Sequence, residues 1–166
     1  MNEQDIKGRT VAESTVETYH IVRPADLNAA DRLYGGVLME WIDEVAVVVA
    51  RKHAQMAVTT GSVDNLKFLR GAYLKDTIVI TGKPTHVGNC SMEIKVETYV
   101  QHIDGEKELI NRAFLTLVGL DENDRPARLP RLILETDEDR AEWERAEIRR
   151  NLRKQQQEDG FSFYGD

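Results

Sequence analysis

The chain has almost no cysteine, and this absence narrows the class of protein. Cys90 is the only cysteine among 166 residues, so no intramolecular disulfide can form. Apolar runs of the roughly 18 residues needed to span a membrane are also missing. The first ten residues lack the apolar core of a signal peptide. These absences favour a reducing compartment, and we expect a cytoplasmic protein without a membrane span.

An excess of basic residues is absent as well. The 22 Lys and Arg side chains are outnumbered by 29 Asp and Glu, which gives a formal net charge of -7. We therefore expect no nucleic-acid partner, although a local basic patch on such a chain can still bind a polyphosphate ligand. The composition, 41% hydrophobic and 31% charged, is that of a globular chain long enough for one domain with its own core.

The motifs of several common enzyme sites are missing. Neither Ser62 nor Ser91 lies in a nucleophile-elbow sequence, and no glycine-rich phosphate-binding motif occurs. Cys90 lies in a strand-like segment without an adjacent base, which favours a structural thiol. Metal-ligand spacing is not found among the four histidines, which are His20, His53, His86 and His102. We expect no metal site.

A long apolar segment follows a pair of glycines. Its valine run at 47–49 has strand propensity. However, Glu40, Glu44 and Arg51 fall on one narrow polar stripe at 100° per residue, and almost all other positions are apolar. This pattern predicts a helix of about 18 residues, from 37 to 54. A helix so apolar must be buried on most of its surface, so other elements have to surround it.

The rest of the chain supplies strands, one before the helix and four after it. Period-two alternation is clearest over 91–101, where Glu93 and Lys95 lie on the face expected to be wetter. The strand ranges are 14–22, 58–68 with an irregularity, 77–87, 91–101, and 109–120 interrupted at 111–112. Together they predict an α+β fold in which a mainly antiparallel sheet surrounds one central helix.

The two ends differ in composition from the middle of the chain. Residues 1–12 are polar, and we expect a flexible N-terminus. In the charged segment 136–166, Thr136 has an N-cap pattern and a helix is predicted over about 137–157. We expect this helix to dock on a neighbour rather than enter the core, because its apolar stripe is weak: Trp143, Ile148 and Leu152. A single domain is predicted between the two ends, over 13–135.

Asp43 is the candidate catalytic side chain, at the edge of the polar stripe. The simpler interpretation is a solvated carboxylate on an amphipathic helix, but a carboxylate on a largely covered helix needs a reason. Gly35 and Gly36 permit a tight turn, and free N–H groups at a helix start also stabilise negative charge on a carbonyl oxygen. Asn28 lies in a polar loop, where turn formation is the simpler interpretation.

These residues carry a resemblance to a known family. The segment 24–54 resembles the motif of the cytosolic acyl-CoA hydrolases, D-x-N followed by G-G-x-L-M-x-x-I-D, with Asn28 and Asp43 spaced as in that family. Three further segments agree with it in order: TTGSVDNLKF, HVGNCSMEIKVE and LTLVGLDENDRPARLPRLILET. The sequence departs from the family after Phe68, where Gly71 and Lys75 occupy places usually held by Pro and Gly.

The resemblance implies a hotdog fold, a curved antiparallel sheet around a central α-helix, and hydrolysis of acyl-CoA to free fatty acid and CoA. It implies no cofactor, since coenzyme A is part of the substrate. It assigns catalysis to Asn28 and Asp43 across a homodimer interface, with the backbone of Gly35 or Gly36 as the oxyanion contact. Hexamers of three dimers are common in such a family. Candidate substrate or CoA contacts are Thr60, Ser62, Arg70, Asn89 and Ser91.

Two other functions are compatible with the same fold. A non-catalytic acyl-CoA sensor would bind acyl-CoA without releasing the thiol. A hydratase or dehydratase usually presents a catalytic histidine near the start of the central helix, and no histidine occurs between Pro24 and Lys52.

Overall fold

The computed structural model describes residues 7–158. Its order of long elements follows the predicted one, with a long helix after the first long strand and four long strands after the helix. The strands are β1 (Arg9–Thr10), β2 (Val16–Ile21), β3 (Ala57–Phe68), β4 (Thr77–Val87), β5 (Ser91–Gln101), β6 (Lys107–Leu120) and β7 (Leu132–Ile133). The helices are α1 (Val11–Ser14), α2 (Gly35–Ala54) and α3 (Asp137–Glu158), with a 3-10 turn at Pro24–Asp26.

Five strands form one antiparallel sheet in the order β2-β4-β5-β6-β3. Strand β3 carries register irregularities between Thr60 and Ser62 and between Asp64 and Lys67, as its sequence predicted. The interruption expected in β6 is a single irregularity at Ile110, and the strand continues through it. None of the helices within residues 7–158 is long and apolar enough to cross a membrane.

Helix α2 lies against the inner face of this sheet, as predicted. It contributes fully buried Ile42, Val45 and Val49 to the core. The approach to β4 is close at Gly82, where a Cβ atom would lie 2.8 Å from Val45 Cγ1 and 2.9 Å from Val49 Cγ2. Glycine at this position therefore sets the distance between the helix and the sheet.

The N-terminal segment differs from the prediction of flexibility over 1–12 in the part that the structure describes. Strand β1 pairs in parallel with β7, and α1 begins with a capping box between Thr10 and Glu13. Ser14 then contacts His53 Nδ1 at 2.9 Å, and His53 Nε2 contacts the Pro130 carbonyl oxygen at 3.0 Å. Three distant parts of the chain meet at this buried histidine.

The outer face of the sheet is drier than the alternation in β5 predicted. Glu93 is only 3% exposed, because α3 packs across this face. Helix α3 begins as predicted, with the Thr136 hydroxyl accepting the Asp139 N–H. Its Trp143 packs on His86 with ring centroids 4.1 Å apart, whereas Ile148 and Leu152 are exposed. The helix is held mainly by ion pairs rather than by the expected apolar stripe.

Lys75 departs from the family pattern in residue type but not in backbone conformation. Its φ of 72° is in the left-handed region, which glycine adopts most easily. The loop between β3 and β4 thus keeps a glycine-like backbone at the position where glycine is usual.

Candidate active site

Asp43 lies in the third turn of α2, half-buried, on the side of the helix that faces β3. The Thr60 hydroxyl, from β3, donates a 2.7 Å hydrogen bond to Asp43 Oδ1. Thr60 was predicted as a substrate contact, which stays a prediction, and the structure brings its hydroxyl to the carboxylate. The bond orients Asp43 and leaves Oδ2 as the oxygen available to another partner.

The N-terminus of α2 is open. Tyr34 occupies the N-cap position without a capping side-chain hydrogen bond, and the first backbone bond joins the Leu38 N–H to the Tyr34 carbonyl. The N–H groups that precede Leu38 in the helix therefore point outward, where a helix start attracts negative charge. Gly35 and Gly36 were predicted to precede the helix and are instead its first two residues, with the Tyr34 ring beside Gly36 and the Phe68 ring beside Gly35.

The two glycines allow the aromatic rings to approach the helix start. A Cβ at Gly36 would lie 2.7 Å from the Tyr34 ring, and one at Gly35 would lie 3.4 Å from the Phe68 ring. Neither aromatic residue was among the site residues predicted from the sequence. Tyr34 directly precedes the glycine pair and Phe68 ends a predicted strand, and these positions were the signal in the sequence.

Asn28 is exposed and held in a defined orientation. Its Oδ1 accepts the Ala30 N–H at 2.9 Å and the Arg32 N–H at 3.2 Å. Two backbone donors fix which end of the amide is the oxygen. The Asn28 NH2 group has no hydrogen-bond partner within residues 7–158. Both the turn interpretation and a ligand-binding role are consistent with this arrangement.

The helix start and the carboxylate of one chain are too far apart to act on one atom. Asp43 follows Gly36 by seven residues, which is about 10 Å along a helix, on nearly the same face. No hydrogen bond joins Asn28 to Asp43 within the part of the chain that the structure describes. Large apolar residues of α2, β3 and the position before α2 are exposed, which are Tyr34, Met39, Val48, Val63 and Phe68.

The other predicted contacts lie away from Asp43. Ser62 is on the outer face of β3, where its hydroxyl donates to Asp64 Oδ2 at 3.1 Å. Arg70 is an exposed side chain paired with Glu108. Asn89 and Ser91 lie at the β4–β5 hairpin, two strands from β3 in the sheet. Of the five predicted contacts, only Thr60 is joined to the carboxylate within residues 7–158, and all five stay predictions as substrate or CoA contacts.

Within residues 7–158, no three acidic, histidine or cysteine side chains gather closely enough to hold a metal ion. The site consists of a carboxylate, a hydroxyl, an amide and backbone N–H groups. Such groups can position water, accept a proton and stabilise an oxyanion.

Comparisons with known proteins identify the fold and the family of the chain. The thioesterase superfamily profile matches residues 31–105, which contain α2 and the strands β3, β4 and β5. A solved hexameric acyl-CoA thioesterase superposes with a TM-score of 0.87 at 34% identity, over 91% of this chain and 97% of that one. Fold and site thus define a hotdog-fold thioester hydrolase.

An uncharacterized acyl-CoA thioester hydrolase of Bacillus subtilis, YkhA, is 37% identical over 88% of this chain and 86% of its own length. The chain therefore belongs to the acyl-CoA thioester hydrolase family.

A Staphylococcus aureus acyl-CoA hydrolase, solved with butyryl-CoA and CoA, superposes with a TM-score of 0.86 at 29% identity, over 91% of this chain and 93% of that one. Structures of that enzyme have also been solved with Asp43, Thr60 or Asn28, in its own numbering, replaced by alanine. The rat cytosolic acyl-CoA thioester hydrolase is longer, and this chain spans 36% of its length.

Proposed function

We propose that this chain hydrolyses acyl-CoA to free fatty acid and CoA, with Asp43 activating the attacking water. One observation carries the proposal: a half-buried carboxylate on the central helix is oriented by the Thr60 hydroxyl at 2.7 Å, with its second oxygen available. A positioned carboxylate of this kind accelerates proton transfer by about 10²–10⁴-fold.

In the proposed reaction Asp43 Oδ2 takes a proton from water as the water oxygen attacks the thioester carbonyl carbon. The carbonyl oxygen becomes an oxyanion. Collapse of the tetrahedral intermediate breaks the carbon–sulfur bond, and the CoA sulfur leaves and receives the proton from Asp43. The fatty acid and CoA are then released.

The oxyanion is stabilised by the open start of α2 and by Asn28. The N–H groups of Gly35 and Gly36 point outward at a helix terminus, which favours negative charge. The Asn28 NH2 is available as a further donor because its oxygen is already held by two backbone N–H groups. This orientation favours contact between Asn28 and the carbonyl oxygen.

Each site takes its groups from two chains. About 10 Å separates Gly36 from Asp43 along one helix, whereas a nucleophile and an oxyanion donor must both lie about 3 Å from the reacting group. A two-fold dimer would bring the Asp43 of one protomer to the helix start and Asn28 of its partner. The large apolar residues exposed on α2 and β3 support such an interface.

Relatives support the larger assembly as well. A similar acyl-CoA thioesterase is hexameric, and the Staphylococcus aureus enzyme binds butyryl-CoA and CoA. We extend both properties to this chain as a homodimer that assembles into a hexamer and acts on acyl-CoA. The cytosolic rat relative supports a cytoplasmic location.

The test is thiol release from acyl-CoAs of increasing chain length, from acetyl to palmitoyl. Asp43→Asn should lower kcat by about 10²-fold or more on every substrate that the wild type cleaves. Glu44→Gln is the matched control, since it makes the same chemical change one residue away on an exposed position of α2. Near wild-type turnover in Asp43→Asn, or an equal loss in Glu44→Gln, would reject the assignment.

General-base catalysis by Asp43 and nucleophilic attack by Asp43 differ in the origin of the oxygen that first bonds to the acyl carbon. In a single turnover in ¹⁸O-water, general-base catalysis places ¹⁸O directly in the fatty acid. A covalent acyl–Asp43 anhydride that water opens at the Asp43 carbonyl carbon places an unlabelled carboxylate oxygen in the fatty acid and leaves ¹⁸O in the protein. Mass spectrometry of the fatty acid and of the protein measures where the label lies, and ¹⁸O in Asp43 would replace the general-base step with nucleophilic attack.

A further inference from the structure

A second concave site lies on the outer face of the sheet, which we call the outer cleft. It is formed between α3 and strands β3, β5 and β6, and has a volume of about 480 Å³. Five of its lining side chains are cationic: Lys67, Lys95, Arg112, Arg145 and Arg149. We propose that the outer cleft binds a phosphate-bearing anion of nucleotide size.

The outer cleft is distinct from the Asp43 site. Asp43 faces β3 from α2, on the inner side of the sheet. The lining residue Arg149 belongs to α3, which packs on the opposite side. Lys67 and Arg112 are register partners on β3 and β6, so their side chains lie side by side on one face. The sheet thus separates the two sites.

Buried carboxylates hold the arginines of α3 in place. Arg149 donates to Glu93 Oε1 at 2.7 Å and to Glu142 Oε1 at 3.1 Å, and Glu93 and Glu142 are 3% and 6% exposed. Burial alone would raise the pKa of the Glu142 carboxyl, but hydrogen bonds and charges from Arg145, Lys95 and Arg149 lower it to about 2. Glu142 is therefore ionised, and the guanidinium groups are already oriented before any ligand arrives.

The ion pairs leave an excess of positive charge. The cleft and its ion-pair partners contain six cationic side chains and four carboxylates, a difference of two positive charges on a chain whose net charge is -7. Lys67 has no ion pair within residues 7–158. Arg145 keeps 55% of its side chain exposed although it pairs with Glu142. The cations are Lys67, Lys95, Arg112, Arg145, Arg149 and Arg153; the carboxylates are Asp64, Glu93, Glu97 and Glu142.

Arginine forks and a lysine without an ion pair match the oxygens of phosphate and carboxylate groups, and a polyphosphate brings the larger negative charge to a cleft with excess positive charge. The volume falls within the range of small-molecule sites and exceeds what a single inorganic ion fills. Phe114, beneath Arg149 at 4.0 Å, and Leu69 add an apolar wall for the rest of the ligand. This chemistry is shared by two sources, a free nucleotide and the phosphorylated end of a CoA molecule.

The experiment is isothermal titration calorimetry of the full chain with inorganic pyrophosphate and with ADP, at constant ionic strength. Lys67→Ala/Arg145→Ala should weaken both probes about tenfold or more. Arg150→Ala/Lys154→Ala is the matched control, since it removes the same two charges from exposed positions of α3 outside the cleft lining. It should bind as the wild type does.

Three results would overturn the proposal: no binding of either probe to the wild type at millimolar concentration, unchanged binding by the cleft variant, or equal weakening in both double variants. The last would show that the cluster only attaches α3 and that general charge attracts the probes. Thermal melts of both variants check that folding is intact, which we expect because all four side chains are exposed.

The source of the ligand is resolved by competition. If CoA displaces ADP from the wild type, the cleft holds the nucleotide end of CoA; if both bind together, it holds a separate nucleotide. The proposal does not depend on the hydrolytic mechanism. Asp43→Asn should bind pyrophosphate normally even when hydrolysis is lost, so failure of one proposal is distinguishable from failure of the other.

Discussion

If each active site takes Asp43 from one protomer and Asn28 from its partner, two inactive variants should restore activity when mixed. The perturbation is a pair of single variants, Asp43→Ala and Asn28→Ala. Each should be inactive alone, since loss of the base costs about 10²–10⁴-fold and loss of an oxyanion donor about 10²–10³-fold. A mixed dimer has one site with both substitutions and one site with neither.

The separation along α2 is the reason to expect a site shared between two chains. Gly36 and Asp43 of one chain are about 10 Å apart, so they cannot serve the same carbonyl. When equal amounts of the two variants are unfolded and refolded together, random pairing makes half of the dimers mixed, and each mixed dimer has one intact site of two. The expected activity is about one quarter of the wild type at equal protein concentration.

The assay is thiol release from the best acyl-CoA substrate, before and after joint refolding. Asp43→Ala refolded with the double variant Asp43→Ala/Asn28→Ala is the control, and it should recover nothing because no pairing supplies the carboxylate. If the mixture of single variants stays as inactive as its components while wild type refolds fully, both residues act within one chain. The two-chain site would then be wrong.

Three further predictions concern single residues. Thr60→Val removes the hydroxyl that orients Asp43 and should lower kcat about tenfold or more, measured by thiol release, with little change in thermal stability. Burial lowers the pKa of His53, so the folded state binds fewer protons than the unfolded state. The free energy of unfolding in urea should therefore be highest above about pH 6.5 and fall as the pH drops below it. His53→Gln should lose this pH dependence. Gly82→Ala places a methyl group against Val45 and should cost about 1–3 kcal/mol in urea unfolding; an unchanged midpoint would show that α2 can move away.

The sequence predicted the helix and strands of the main sheet because their signals are local. The narrow polar stripe of α2 and the alternation of β5 depend only on residues near one another in the chain. The N-terminal elements escaped prediction because β1 is two residues long and exists through its pairing with β7, more than 120 residues later. Composition alone cannot indicate a pairing of this kind.

The site was predictable in residue type but not in arrangement. The candidates Asp43 and Asn28 came from motif spacing, and their positions on α2 and in the preceding loop follow it. The Thr60–Asp43 hydrogen bond depends on how β3 crosses the helix, which a one-dimensional pattern does not contain. Likewise, the alternation placed Glu93 on the outer face but could not reveal that α3 covers it.

The order of the main sheet has a consequence for how the chain folds as it is synthesised. Strand β3 pairs with β6 alone within residues 7–158, and residues 69–106 separate the two. Until β6 has emerged, β3 has no ladder partner and exposes two unpaired edges together with Val63 and Phe68. Because β4 and β5 pair through a short hairpin, we expect them to form first, leaving β3 as the segment most open to misassociation or chaperone binding in a nascent chain.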